Sequence, residues 1–150
     1  ALRGLRTLAL RMERHSRNAA VVAAALAARP EVAAVHHPSR PDHPQHAFAA
    51  AHYPGGTGGI VAFDLHGGAD AAARLLRGLR TIAIVHSLGE VATTISYPSL
   101  ASHRMLPPEV REGLGVGEGT LRISVGIEDA RDIVADLECA FAGLAEPARA

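Results

Sequence analysis

No lysine occurs anywhere in the chain: all 15 basic side chains are arginine. No side chain therefore offers the primary amine on which a Schiff base forms. Cysteine is nearly as scarce. Cys139 stands alone, which excludes an internal disulfide and fits a reducing compartment. No apolar run approaches the ~20 residues of a membrane span. Arg3, Arg6 and Arg11 interrupt the apolar residues at the start, which the continuous core of a secretory signal would not tolerate. An excess of either charge is also missing, because 15 acidic residues balance the 15 arginines. That removes the case for nucleic acid or an acidic membrane as partner. The expected compartment is the cytoplasm.

What is present describes a globular domain. The chain has 150 residues, 48% hydrophobic and 20% charged, enough for one core. Leu5, Leu8, Met12, His15, Ala19, Val22 and Leu26 recur at three- and four-residue steps, the stripe of a long helix that ends near Arg29-Pro30. The chain opens without methionine and, by this pattern, inside a helix, which reads as a cut. Strands are expected at Glu31–His36, Ile60–Leu65, Thr81–Val85, Ala92–Tyr97 and 120–125, with a Ser-Leu-Gly turn between the third and fourth. Helices are expected at 46–52, 70–80, after Pro107-Pro108, and at 129–144. The order implies an α+β fold, a small sheet with helices packed on one face. Residues 1–144 form the domain and 145–150 a tail.

Arg122 is the strongest candidate for chemistry. Side chains alternate along a strand, so Leu121, Ile123 and Val125 share one face, and Arg122 and Ser124 the other. If the apolar face meets the helices, Arg122 stands on the uncovered side. There a guanidinium fork can hold a carboxylate through two parallel bonds, or pair with a nearby Asp or Glu. Ser87 can donate to the same anion or serve simply as a turn residue. His36, His37, His43 and His46 crowd a proline-rich loop without the helical spacing of a zinc pair, so they read as solvated rather than metal-binding. The Pro54–Gly59 turn enters a strand and not a helix, unlike a phosphate cradle. Cys139 falls beside the apolar stripe of the last helix, where packing is the simpler role. The first helix can bury its stripe on this domain's own sheet or on a further N-terminal domain, or pair with a second copy.

Several separated segments, taken in order, resemble one family. They are Arg3-Gly4-Leu5-Arg6-Thr7-Leu8 with Leu10-Arg11-Met12, His43-Pro44-Gln45-His46, Ser87-Leu88-Gly89, Ser102-His103, and the R-x-S-x-G-x-E run of Arg122, Ser124, Gly126 and Glu128. Together they resemble the C-terminal domain of the pyridoxal-phosphate enzymes of cysteine and methionine metabolism: cystathionine γ-synthase, cystathionine γ-lyase and methionine γ-lyase. The resemblance implies the small domain of a fold-type I transferase and a homo-oligomer, a tetramer built of dimers. It implies an amino-acid substrate and pyridoxal 5'-phosphate carried as a Schiff base on a lysine. That lysine belongs to an N-terminal domain which this chain does not include. It also implies that Arg122 clamps the substrate α-carboxylate, with Ser87 and Leu88 beside it. Cystathionine-handling members read S-L-G-G-x-E, whereas this chain has Glu90 and Ala92; an acidic residue directly after the glycine is more like methionine γ-lyase. No catalytic residue is expected within the chain, and alone it should be inactive. A free-standing amino-acid-binding module, or a pure assembly domain, is the alternative.

Overall fold

The computed structural model describes residues 2–145. In chain order the elements are α1 (Leu2–Leu5), α2 (Leu8–Ala27), β1 (Val32–His36), α3 (His46–His52), β2 (Ile60–Leu65), α4 (Gly68–Gly78), β3 (Ala83–Ile84), β4 (Thr94–Ser96), a short 3-10 turn (Pro98–Leu100), α5 (Pro108–Gly113), β5 (Thr120–Ser124) and α6 (Ala130–Ala145). The strands form one five-stranded sheet in the order β1-β2-β5-β4-β3. This is the α+β architecture expected, with the helices on one side. Among the described residues no helix is long and apolar enough to cross a membrane.

Alternation builds the core. Val61 pairs with Ile123 and Phe63 with Leu121 across β2 and β5, and Ile123 pairs with Ile95 of β4. Directly opposed residues share a face. All five are buried against Ala19, Val22 and Leu26 of α2, Ala72 and Leu75 of α4, and Ile133, Leu137 and Phe141 of α6. Burying each large apolar side chain is worth about 1.5–3 kcal/mol. This one layer therefore fixes which face of β5 looks away from the helices.

Three local features depart from the sequence expectation. The first helix is not continuous, because Arg6 and Thr7 form a turn between α1 and α2. Gly4 and Thr7 are poor helix formers, and Arg11 braces the break by donating to the Gly4 carbonyl at 2.9 Å and to Thr7 Oγ1 at 3.3 Å. Its stripe is also only half covered: His15, Ala19, Val22 and Leu26 are buried, while Leu5, Leu8 and Met12 reach past the sheet into solvent. Finally, β3 and β4 pair in parallel. The intervening chain must therefore travel back along the sheet instead of reversing in a turn, and it forms a protruding loop.

That loop is anchored at its start by α6. Asp136 accepts the backbone N–H of Arg80 (2.9 Å), Thr81 (3.0 Å) and Ile82 (2.9 Å), fixing the entry into β3. Burial pushes the Asp136 carboxyl up, but the amides of Ile82, Thr81 and Arg80 outweigh it and hold its pKa below the ordinary aspartate value. Cys139, one turn along the same helix, is exposed rather than packed, because it lies just outside the strip that meets the core. Cys139→Ser should accordingly shift stability by less than about 0.5 kcal/mol in a urea titration.

His37 is the opposite case. It is fully buried, not solvated. Its Nδ1 lies 2.7 Å from Ser39 Oγ, and among the described residues its Nε2 completes no hydrogen bond. Burial lowers its pKa, the Gly58 backbone offsets part of that, and His43 lowers it again. The unfolded chain therefore takes up a proton that the folded chain refuses. Stability should be full above the ordinary histidine value of about 6.5 and should fall as pH drops below it toward the depressed folded value. Thermal unfolding of the wild type and His37→Gln between pH 7.5 and 5 checks this. The wild type should lose the more stability on acidification, and parallel curves would count against it.

Candidate substrate-carboxylate site

Arg122 lies in the middle of β5, paired with Ala62 on one side and Ser96 on the other. Its neighbours Leu121 and Ile123 are sealed under the helices, so Arg122 projects from the opposite face. The side chain is half-buried, and among the described residues it has no hydrogen-bond or ion-pair partner. Several of the other described arginines are held in short ion pairs. Arg17 pairs with Glu13, Arg29 with Glu31, Arg40 with Asp42, Arg111 with Glu118 and Arg131 with Asp129. Among the described residues no ion pair forms at Arg122. The face around it is not the uncovered one expected: Thr94, Ser96, Thr120 and Ser124, which share it, are all buried, while Arg122 is half-buried. A fork left unpaired there can take a bidentate carboxylate.

The loop between β3 and β4 stands beside it. The Gly89 N–H donates to Ser124 Oγ at 3.1 Å, and Ser124 is two residues from Arg122 on the same face of β5. At the other end of the triplet, Thr94 Oγ1 donates to the Ser87 carbonyl at 3.2 Å. Ser87 is half-buried, while Leu88, Glu90 and Ala92 are exposed along the same loop. Arg122 and the Ser87–Gly89 segment, separate in sequence, thus become neighbours. Ser124, which alternation places on the face of Arg122, is the post that joins them.

The glycine and glutamate of the same motif support the loop from below. Glu128 accepts the Thr93 N–H at 2.5 Å through Oε1 and the Thr93 hydroxyl at 2.9 Å through Oε2. The Gly126 N–H donates to Thr93 Oγ1 at 2.9 Å. A Cβ at Gly126 would fall 2.4 Å from the Val91 carbonyl and 2.6 Å from the Thr93 nitrogen, so only glycine permits the two segments to close together. From the helix side, the carbonyls of this stretch are held by α2. His15 Nδ1 sits 2.6 Å from the Val125 oxygen, which requires its proton on that nitrogen, and Asn18 donates to the oxygens of Gly126 and Glu128 at 3.0 and 2.8 Å. Arg14 reaches the Glu128 carbonyl at 3.0 Å, so it is no freely solvated charge. Alternation on β5 could not reveal these contacts, since they join residues far apart in the chain.

The histidine cluster offers nothing comparable. His36 pairs with Asp64 at 2.7 Å, His46 Nδ1 faces the Pro38 carbonyl, and among the described residues no group of three or more His, Cys, Asp or Glu could hold a metal ion.

A family model described as Cys/Met metabolism PLP-dependent enzyme matches residues 1–142. The chain belongs to that family. It is 40% identical over 143 residues to the O-succinylhomoserine sulfhydrylase of Pseudomonas aeruginosa, covering 95% of this chain and 35% of that protein. It is 38% identical over 140 residues to an L-methionine gamma-lyase of Pseudomonas putida, covering 93% and 35%. The crystal structure of a cystathionine gamma-lyase from Micromonospora echinospora superposes with a TM-score of 0.86 at 44% identity, over 93% of this chain and 36% of that one. The chain thus spans about a third of the length of these relatives. Their three names describe different reactions at similar identity.

The family depends on pyridoxal phosphate. With no lysine among its 150 residues, this stretch of sequence offers no side-chain amine for a Schiff base with it. Beside Arg122 the hydroxyls of Ser124 and Ser96 are engaged within the protein. The guanidinium fork is suited to an oxyanion such as a carboxylate or a phosphate.

Proposed function

We propose that the chain supplies the α-carboxylate clamp of a pyridoxal-phosphate-dependent C–S lyase or transferase of cysteine and methionine metabolism. The observation that carries this is Arg122, half-buried, without a side-chain partner among the described residues, and projecting from the face opposite α2, α4 and α6 beside the Ser87–Gly89 loop. Arg122 grips both carboxylate oxygens, and Ser87 with the loop amides adds donors from one side. A lysine-bearing domain of the same enzyme holds the cofactor, which supplies the electron sink for bond cleavage next to the amino group. This chain's part is orientation: a carboxylate fixed at two points leaves the rest of the substrate little freedom to rotate. Pyridoxal phosphate and borohydride should therefore add nothing to the isolated chain beyond its α-amino group. Glu90, exposed on the loop, favours a methionine γ-lyase type of substrate over cystathionine.

The deciding test is substrate saturation in the complete enzyme. Arg122→Ala should raise KM with the cofactor absorbance intact, and an unchanged KM would remove Arg122 from the site. Calorimetry of the isolated chain with methionine, cysteine and homoserine separates the free-standing module, which would bind without cofactor, from the clamp, which would give no heat.

A further inference from the structure

The loop that carries Ser87, Leu88 and Gly89 has few contacts of its own. Leu88, Glu90, Val91 and Ala92 are all exposed, so apolar burial cannot fix its position. Beyond the Gly89–Ser124 and Ser87–Thr94 bonds, what fixes it is its return to the sheet at Thr93, which is buried. Thr93 gives its N–H and its hydroxyl proton to the two oxygens of Glu128, and its hydroxyl oxygen accepts the Gly126 N–H. One position further, the Ile127 N–H donates to the Val91 carbonyl at 2.9 Å. Gly126 and Glu128 are in turn bound by their carbonyls to Asn18 of α2. The loop therefore hangs from a rigid post, and the hinge between them is the Thr93–Glu128 contact.

We infer that Glu128 and Thr93 are positioning residues: they set where the Ser87–Gly89 loop stands relative to Arg122, and thereby the affinity of the carboxylate site, without touching the substrate. This rests on the assignment of Arg122 and the loop to that site. The choice of residue types supports it. Two donors on one residue need two acceptor oxygens side by side, and only a carboxylate provides both without adding a competing donor. A glutamine at 128 would turn an N–H toward one of Thr93's donors. A valine at 93 would keep the shape, strip Glu128 of a partner and leave the buried Gly126 N–H unsatisfied, which costs more than the bond itself contributes.

The test measures the complete holoenzyme in two ways. In Thr93→Val and Glu128→Gln, hydrogen exchange in peptides covering 86–93 should accelerate about tenfold, as expected for local opening. Peptides covering 120–124 and 133–141 should keep their protection. KM for the amino acid should rise in the same variants by about tenfold with kcat nearly unchanged, as loss of uniform binding requires. Thr93→Ser, which keeps the hydroxyl, should restore both values. Loop exchange that does not change, or core peptides that accelerate equally, would overturn the inference by showing no hinge or a merely global role. Faster loop exchange with an unchanged KM would also overturn it if Arg122→Ala still raises KM, since the clamp would then stand without the loop. An unchanged KM in Arg122→Ala would instead defeat the clamp, leaving the exchange result to report on the hinge alone.

Discussion

An enzyme carrying Arg122→Lys is expected to lose roughly tenfold in substrate affinity although its charge is conserved, and Arg122→Ala about a hundredfold or more. The difference comes from geometry. A guanidinium meets a carboxylate with two parallel N–H donors, whereas an ammonium is a compact point charge that satisfies one oxygen well. Each charge-assisted bond contributes about 1.5–3 kcal/mol, and about 1.4 kcal/mol is a factor of ten. Arg122 is half-buried and not sealed, so solvent screening places the expectation toward the lower end. The loss should appear in KM more than in kcat, because a carboxylate that takes no part in bond breaking is held alike in the ground and transition states. Cofactor absorbance should not change, since the role proposed for Arg122 is toward the substrate only. A lysine variant with wild-type KM would show that the fork makes no bidentate contact, and an alanine variant with wild-type KM would remove the residue from the site.

The part of this site that was legible in the sequence is the part governed by period two. Leu121, Ile123 and Val125 alternate with Arg122 and Ser124, and burial of the first set forces the second outward. Ser87 and Leu88 were legible only through resemblance, because nothing in a Ser-Leu-Gly triplet says which strand end it will face. Its proximity to Arg122 depends on the parallel pairing of β3 with β4. Strands of two and three residues are too short for their pattern to announce a direction. Polar partners were the least legible. His15 lies on the apolar stripe and is buried with it, yet it and the neighbouring Arg14 also hold carbonyls of the motif segment. His37 reads as a loop histidine but fills a buried position. For His15 and Arg14 the partner is a backbone group remote in sequence, and composition carries no record of it.

The motif R-x-S-x-G-x-E thus divides into one residue left unengaged and three that hold the loop. Among the described residues the Arg122 side chain has no partner, while Ser124, Gly126 and Glu128 each bind or admit the segment from Gly89 to Thr93. The spacing follows from the strand. Positions two apart share its outer face, and once β5 ends at Ser124 the chain turns toward the loop's root, where a glycine is needed for close approach and a carboxylate for capture. Polar contacts thus join the loop to β5 beside Arg122.

Asp136→Ala should be the most destabilising single substitution outside the apolar core, at about 2–4 kcal/mol, because it strands the buried N–H of Ile82 and frees those of Arg80 and Thr81. The cost stays below the sum of three buried donors because Arg80 and Thr81 are exposed and can recruit water. Asp136→Asn keeps one acceptor oxygen and should cost about 1–2 kcal/mol, within the range for a lost bond to a charged group. Urea unfolding at pH 7 should show both as lower midpoints with an unchanged slope. The sign of the pH dependence is also determined. The folded pKa of Asp136 is depressed, so its contribution is present above the ordinary aspartate value and is lost as pH falls through the folded one. The gap between wild type and Asp136→Asn should therefore narrow only in acid, below about pH 4, and remain constant from there to neutrality. A gap that closed near pH 6 instead would mean that a histidine, and not this carboxylate, holds the root of β3 in place.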